Sequence, residues 1–178
     1  MRPMSVTDIK RLNRDWRRRT RGSVSVALVS LSNPFNVGSI FRTAATLGAD
    51  TVYLIGATPT ALEPKVRKTS LGTEKAVQTV QAASLAEVAD QVHAAGGVMT
   101  AVELASGAEP IHEHTFPDSV CLVLGSERHG LSPSGLSVCD NAVFVAQPGK
   151  VASLNVSVAA SLALYEFRRQ HWASDSAT

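Results

Sequence analysis

From residue 23 onward, short apolar runs alternate with stretches whose apolar residues recur at helical spacing. The runs with the length and composition of strands are 24–30, 51–55, 98–104, 120–124 and 142–145. The stretches with helical spacing are 36–47, 84–95 and 153–170. Because strands alternate with helices, we predict an α/β domain with a mostly parallel sheet flanked by helices. The unbroken apolar run 120–124 predicts a strand that is covered on both faces.

Residues at the ends of these stretches have the chemistry of helix caps. Asn36, Ser84, Ser132 and Ser153 stand at predicted helix starts, and Ser132 is followed by a proline. Glycine at 48 and at 96–97 ends the first two long helices. The opening of the last helix is apolar nearly all round, so we expect it to be buried.

Charge is distributed unevenly although the formal net charge is only +2. Residues 1–22 hold eight of the 17 Lys and Arg residues against two Asp, whereas the rest of the chain is net acidic. We predict a short helix over 7–21, capped by Ser5 or Thr7, that forms a basic arm for a polyanion. The predicted organisation is a basic extension at 1–22, one domain at 23–172 and a frayed tail at 173–178.

Composition excludes several classes of protein. At 44% hydrophobic residues the chain can bury a core, and Cys121 and Cys139 lack metal-site spacing, which predicts small buried thiols. No secretory signal or membrane-length apolar stretch is present, so we expect a cytoplasmic protein without a membrane partner. His112 and His114 have no third ligand nearby, and we therefore predict no metal site. The chain also contains no P-loop, no GxGxxG fingerprint and no nucleophile elbow.

Polar residues follow three of the predicted strands, at the edge of the sheet where α/β proteins bind ligands. After the first strand, Asn36 is either a helix cap or a ligand contact. Arg42 either snorkels from an apolar helix or meets an anion. After the fourth strand, Gly125 and Glu127 form either a tight loop or a close backbone approach to a ligand. Before the last helix, Asn155 needs a hydrogen-bond partner, either in a ligand or in a neighbouring loop.

Taken together and in this order, the three segments resemble the motifs of the SpoU/TrmH family of RNA ribose methyltransferases, in the SPOUT superfamily. The matching stretches are 36–44, 122–132 and 151–159 followed by 164–166, and the resemblance covers residues 24 to about 169. The chain departs from the family pattern at Ala146, where a proline is usual.

The resemblance implies a deep trefoil knot at the C-terminal end and a homodimer whose active sites combine residues of both subunits. It implies that S-adenosylmethionine binds in the knot, held by backbone groups near Val102, Gly125, Val145 and Leu154, without a metal. It assigns Arg42 to the reacting 2′-hydroxyl and the adjacent phosphate, and Asn36, Glu127, Ser153 and Asn155 to positioning RNA and bracing the site. Because guanidinium stays protonated at any physiological pH, we expect Arg42 to clamp phosphate rather than act as a base.

The resemblance also makes RNA the expected partner of the basic arm. The candidate RNA-binding residues are Arg11, Arg14, Arg17, Arg18, Arg19 and Arg21. Trp16 either stacks on a base or packs on the domain. The similarity of 67–75 to a loop of tRNA-modifying members and the compact size favour tRNA over rRNA. Two alternatives remain, a non-catalytic RNA-binding module and a different nucleotide-binding α/β enzyme.

Overall fold

The computed structural model describes residues 1–151 and 153–173, which form one parallel sheet with helices on both faces. The strands are β1 Ser23–Val29, β2 Thr51–Ile55, β3 Gln78–Ala82, β4 Val98–Val102, β5 Glu109–Pro110, β6 Ser119–Leu124 and β7 Asn141–Phe144. The helices are α1 Val6–Arg19, α2 Pro34–Thr46, α3 Pro64–Ser70, α4 Leu85–Ala94, α5 Pro133–Leu136 and α6 Val156–His171. The sheet order is β3-β2-β1-β6-β4-β7-β5, and every pairing is parallel. The predicted α/β architecture is confirmed, while the knot stays a prediction.

The sheet separates two apolar cores because successive side chains of a strand point to opposite faces. In β1, Leu28 packs in the core beneath α2, α3 and α6, whereas Ala27 packs in the core beneath α4. β6 lies between β1 and β4 and is buried from Val120 to Leu124, so the predicted coverage of both its faces is confirmed. This central position places the loop after β6 between the loops of its neighbours.

Polar composition hid several elements from the sequence analysis. β3 is an edge strand with no fully buried residue, and its Gln and Thr residues give no apolar run. The short helix α3, the 3₁₀ turn Thr73–Ala76 and the two-residue strand β5 were not predicted either. Each of these is too short for a period to be recognised.

The helix caps correct two predictions. The residue that caps α2 is Asn33, whose side chain accepts from the Phe35 backbone, so Asn36 lies inside the helix. The residue that caps α6 is Asn155, and Ser153 lies upstream of the helix. Ser84 and Ser132 are N-caps as predicted. Of the two candidates for α1, Ser5 is the cap, in a reciprocal capping box with Asp8.

Burial differs from the prediction at the start of α6. Its inner face is buried, but Val158, Leu162 and Tyr165 are 45%, 41% and 50% exposed. The expectation that the apolar opening of this helix is buried all round is therefore wrong within a single chain. Apolar side chains left in water on one helix face are typical of an interaction surface.

The N-terminal helix joins the domain through its last turn. The Trp16 ring lies 5.0 Å from the Trp172 ring, and the Arg19 guanidinium lies 4.5 Å above Trp16. The structure therefore favours packing on the domain over base stacking for Trp16. Of the predicted frayed tail, residues 174–178 lie outside the described residues, and Ala173 bonds to the Arg19 carbonyl at 2.9 Å.

Both cysteines are free, and Cys121 is buried while Cys139 is half-buried. Burial raises the pKa of Cys121 to about 12 and that of Cys139 to about 11, as expected of inert packed thiols. No helix in the described part of the chain is long and apolar enough to cross a membrane.

Candidate active site

A cavity of about 540 Å³ opens at the carboxyl ends of three adjacent strands, β6, β4 and β7. Its lining includes all four residues predicted to hold a methyl donor: Val102, Gly125, Val145 and Leu154. The first ends β4, the next two directly follow β6 and β7, and Leu154 precedes α6. Because these strands are parallel, their loops meet at one edge, which is where α/β sheets bind ligands.

The loop after β6 is closed on itself. Ser126 and Gly130 exchange two backbone hydrogen bonds, of 3.1 and 2.9 Å. A Cβ on Gly125 would penetrate the backbone of Gly130 and Leu131, so only glycine permits this fold of the loop. Gly130 itself has a φ of +61°. The glycines therefore shape one wall of the cavity through backbone packing.

Glu103 is a cavity residue that the sequence analysis missed. Its carboxylate accepts hydrogen bonds from the Leu131 backbone at 3.0 Å and from the Leu104 backbone at 3.1 Å. These bonds tie the end of β4 to the loop after β6, and Glu103 lines the cavity. The signal that could have found it is a position directly after a strand, but the predicted strand 98–104 runs past Glu103, whereas β4 ends at Val102.

Three of the predicted catalytic residues form one hydrogen-bonded chain. Two of them, Glu127 and Asn155, line the cavity at a place that is named here the cavity mouth. Asn36 donates to Glu127 Oε1 at 2.9 Å, and Asn155 donates to Asn36 Oδ1 at 3.1 Å. Asn155 Oδ1 in turn accepts from the Ser157 backbone at 2.8 Å. Asn36 is 7% exposed, so its amide is locked between two partners. The bonds join all three sequence motifs at one place.

Glu127 is held as a carboxylate. Burial raises the pKa of this carboxyl, but donors at the Ser32 backbone and the Asn36 amide outweigh burial, so the pKa is about 2. The Ser32 backbone bond is 2.9 Å long. With this acceptor role fixed, Glu127 positions the loop after β1 and does not exchange a proton near neutral pH.

The two other predicted catalytic residues lie apart from this chain of bonds. Ser153 lines the cavity and is exposed. Arg42 lies six residues beyond Asn36 on α2 and lines a second cavity of about 350 Å³ with Ser161 and Tyr165. Its guanidinium is exposed and makes no hydrogen bond or ion pair within residues 1–151 and 153–173. A single chain therefore does not bring Arg42 to the first cavity.

The candidate RNA-binding cations lie at the N-terminal end of the chain. On α1, Arg11, Arg14, Arg17 and Arg18 are exposed, while Arg19 is half-buried against Trp16. Arg21 follows the helix and donates to the Arg18 carbonyl at 2.9 Å.

Among the described residues, no group of three or more His, Cys, Asp or Glu side chains could hold a metal ion. His112 lies 3.5 Å from Glu113, and His114 lies 2.8 Å from Glu109. These histidines therefore pair with neighbouring carboxylates.

Comparison with known proteins gives matches over most of the chain. The model of the SpoU rRNA Methylase family matches residues 23–165. The 23S rRNA (guanosine-2'-O-)-methyltransferase RlmB of Acinetobacter baylyi is 36% identical over 146 residues, which are 82% of this chain and 59% of that protein. The chain spans about three fifths of the length of the curated relatives it matches.

Solved structures agree with the sequence match. The SpoU methyltransferase AviRb from Streptomyces viridochromogenes, in complex with AdoMet, superposes with a TM-score of 0.78 at 30% identity, over 84% of this chain and 58% of that one. A structure described as giving insights into the 2-OH methylation of C/U34 on tRNA superposes with a TM-score of 0.75 at 29% identity. It covers 84% of this chain and 96% of that chain. The family match, the parallel sheet and the joined motifs agree, and the chain belongs to the SpoU/TrmH family of RNA methyltransferases.

Proposed function

We propose that this chain transfers the methyl group of S-adenosylmethionine to a ribose 2′-hydroxyl of RNA. The observation that carries the proposal is the chain of hydrogen bonds from Glu127 through Asn36 to Asn155 at the mouth of the 540 Å³ cavity. Asn36 is buried, and a buried side-chain amide is costly unless it is hydrogen-bonded, so its bonds to Glu127 and Asn155 fix the geometry of the cavity mouth. Methyl transfer needs in-line placement of two reactants, so a rigid mouth suits the reaction.

The cavity fits the methyl donor in size and chemistry. Its volume lies within the range of about 300–1,000 Å³ that is typical of small-molecule sites. Val102, Val145 and Leu154 offer an apolar wall for an adenine ring, and the Glu103 carboxylate offers an acceptor for hydroxyl groups or a neighbour for a cation. When bound, S-adenosylmethionine supplies an electrophilic methyl group on a sulfonium.

On the RNA side, Arg42 has the chemistry to clamp a phosphate through two parallel N–H···O bonds. From that position it would stabilise negative charge that develops on the 2′-oxygen as the O–CH₃ bond forms. The hydroxyl proton would leave to phosphate or water, because guanidinium does not accept it. Ser153 and Asn155 would contact the RNA at the cavity mouth.

In a homodimer, Arg42 of one subunit could lie next to the cavity mouth of the other subunit. Arg42 and Tyr165 line the second cavity, and Tyr165 belongs to an exposed apolar stripe on α6 with Val158 and Leu162, named here the α6 stripe. A second copy that covers the α6 stripe would come next to Arg42. We therefore propose that the active sites of a dimer combine residues of both subunits.

We propose tRNA as the substrate class, with rRNA as the alternative. Support comes from the neighbour described for the 2-OH methylation of C/U34 on tRNA. It comes also from the similarity of the segment 67–75 to a loop of tRNA-modifying members, in which Lys68 and Lys75 are exposed. The relative named for 23S rRNA supports the alternative. A cytoplasmic location remains part of the proposal.

The experiment is methyl transfer from tritiated S-adenosylmethionine to bulk tRNA and, separately, to rRNA. We expect label in tRNA, located after alkaline hydrolysis in a single alkali-resistant dinucleotide, because a 2′-O-methyl group blocks cleavage at its own phosphodiester. Arg42→Ala should abolish transfer, and Arg42→Lys should restore less than a tenth of it, since lysine keeps the charge but loses the bidentate fork.

Each other outcome has a defined meaning. Label only in rRNA would replace the substrate class and leave the reaction intact. Label in an alkali-labile product would refute ribose methylation. Donor binding by calorimetry with no transfer to either RNA, while both RNAs bind, would favour the non-catalytic RNA-binding module.

A further inference from the structure

The N-terminal helix α1 has two opposite faces of different chemistry. Val6, Ile9, Leu12 and Trp16 recur every three or four residues, and they are 70%, 44%, 42% and 38% exposed. We name these four side chains the α1 stripe. The helical period places five cations on the opposite side: Lys10, Arg11, Arg14, Arg17 and Arg18. No residue of α1 is buried within the chain.

Only the last turn of α1 and the residues directly after it hold the helix against the domain. The Arg21 backbone donates to the His171 carbonyl at 2.9 Å, and Thr20 pairs with Trp172 in an antiparallel bridge. The first three turns therefore project as an arm whose apolar side has no cover within the described chain.

Aromatic rings connect the α1 stripe to the α6 stripe. Trp16 lies 5.0 Å from Trp172, and Trp172 lies 5.5 Å from Tyr165, measured between ring centroids. Tyr165 is the last member of the α6 stripe. The two exposed stripes are thus parts of one continuous apolar seam that runs from the arm to the second cavity, where Arg42 lies.

We propose that the seam is covered by a second copy of this chain, so that α1 is a dimerisation arm whose basic face stays free for RNA. The inference rests on the dimer proposed above and extends its interface to residues 6–16. A two-fold interface uses the same patch on both subunits, and an apolar seam meets an apolar seam. The phosphate groups of RNA would instead bind the five cations on the other side of α1. An isolated membrane-surface helix would not need the continuation through Trp172 into α6.

The test is sedimentation equilibrium of the full chain, with four variants. Ile9→Asp combined with Leu12→Asp places two charges in the α1 stripe, and we expect the dimer dissociation constant to rise at least about tenfold. Ile9→Ala with Leu12→Ala keeps high helix propensity and should shift the constant in the same direction. Thr7→Asp with Arg14→Asp places charges on the opposite face of α1, and the constant should stay within about threefold. Leu162→Asp probes the α6 stripe separately, and circular dichroism checks that each variant is folded.

The outcomes separate the arm from the dimer. If Leu162→Asp weakens the dimer but both double variants in the α1 stripe do not, the arm is refuted and the dimer stands. If the unmodified chain is monomeric at all concentrations, both are refuted, while the methyl-transfer assay still decides the reaction. If the α1 variants keep the dimer but lose binding to phosphatidylserine vesicles, α1 is a membrane-surface helix and the proposal is overturned.

Discussion

Asn155 donates a hydrogen bond of 3.1 Å to the side-chain oxygen of Asn36, a residue 119 positions earlier in the chain. The amide nitrogen of Asn36 in turn donates a hydrogen bond to Glu127. The orientation of the Asn36 amide is therefore fixed by one donor and one acceptor. Neither an aspartate nor an apolar residue satisfies both partners.

This relationship predicts a selective effect of Asn36→Asp. The new carboxylate would face Glu127, and the lost N–H leaves the Glu127 oxygen without its donor. We expect a loss of about 1–3 kcal/mol in the free energy of unfolding, measured in urea, and at least a tenfold fall in methyl transfer. Asn13→Asp, the same change on exposed α1, should alter stability by less than about 0.5 kcal/mol. Equal effects of the two substitutions on stability would show that the hydrogen bonds of Asn36 do not stabilise the fold.

How far the sequence predicts this site is clear from Asn36 and Arg42. The resemblance of three motifs to the family predicted that Asn36, Glu127 and Asn155 share one site. The structure places them in one chain of hydrogen bonds. The predicted start of α2 at Asn36, with the cap as one of two alternatives for that residue, is wrong. The pair Asn33-Pro34 carries the same cap-and-proline signal that identified Ser132. The position of Arg42 at a second cavity depends on the angle between α2 and α6, which no local pattern encodes.

For the fold too, features that depend on local sequence patterns could be predicted, and features that depend on tertiary contacts could not. The buried strand β6 was predicted because both its faces require apolar residues, whereas the edge strand β3 has no such requirement. The exposure of Leu162 on α6 contradicts the apolar pattern because burial of that face depends on what lies outside one chain. Periodicity reports that a face is apolar, and only tertiary structure reports what covers it.

Gly125→Ala should damage the donor cavity without unfolding the chain. An added Cβ would collide with the backbone of Gly130 and Leu131, which must then move and carry the cavity wall with them. We expect the dissociation constant for S-adenosylmethionine, measured by calorimetry, to rise at least about tenfold, or about 1.4 kcal/mol. Gly149→Ala is the matched control, because nothing lies within 4 Å of its added Cβ. Unchanged donor affinity in Gly125→Ala would contradict the assignment of this cavity.

Glu127 predicts a pH dependence of stability on the acid side. Burial raises its pKa, but the donors at Ser32 and Asn36 outweigh this, so the folded pKa of about 2 lies below its ordinary value of 4.5. A depressed carboxyl pKa contributes stability that is fully present above pH 4.5 and is lost as the pH falls toward 2. Discounted for the exposure of this side chain, the contribution is about 1 kcal/mol.

The check is urea unfolding of the chain and of Glu127→Gln between pH 5.5 and pH 3. The difference in unfolding free energy between the two should shrink as the pH falls, since protonation makes the two side chains alike. A gap that widens toward low pH would contradict the depressed pKa.

Arg168 is predicted to be the most sensitive charged residue outside the site. Its guanidinium, 3% exposed, donates to the carbonyls of Leu47, Gly48, Arg21 and Gly22. It thereby joins α6, the end of α2 and the link from α1 to β1. Arg168→Met should cost at least about 3 kcal/mol in urea unfolding, because four carbonyls lose their donor. Arg169→Met, at the exposed neighbouring position, should cost less than about 1 kcal/mol. Comparable losses for the two variants would show that the hydrogen bonds of Arg168 do not hold these elements together.

The basic arm predicts how RNA affinity depends on salt. Arg17 and Arg18 are exposed on the cationic face of α1, whereas Arg19 lies over the Trp16 ring and is half-buried. If the exposed pair contacts phosphates, Arg17→Ala with Arg18→Ala should reduce the slope of log affinity against log salt by about 1.5 in filter-binding titrations. Arg19→Ala should change the slope less, because that guanidinium already has a partner within the chain. An unchanged slope in the double variant would show that RNA does not bind to this face of α1. A larger effect of Arg19→Ala than of the double variant would mean that Arg19 leaves Trp16 when RNA binds.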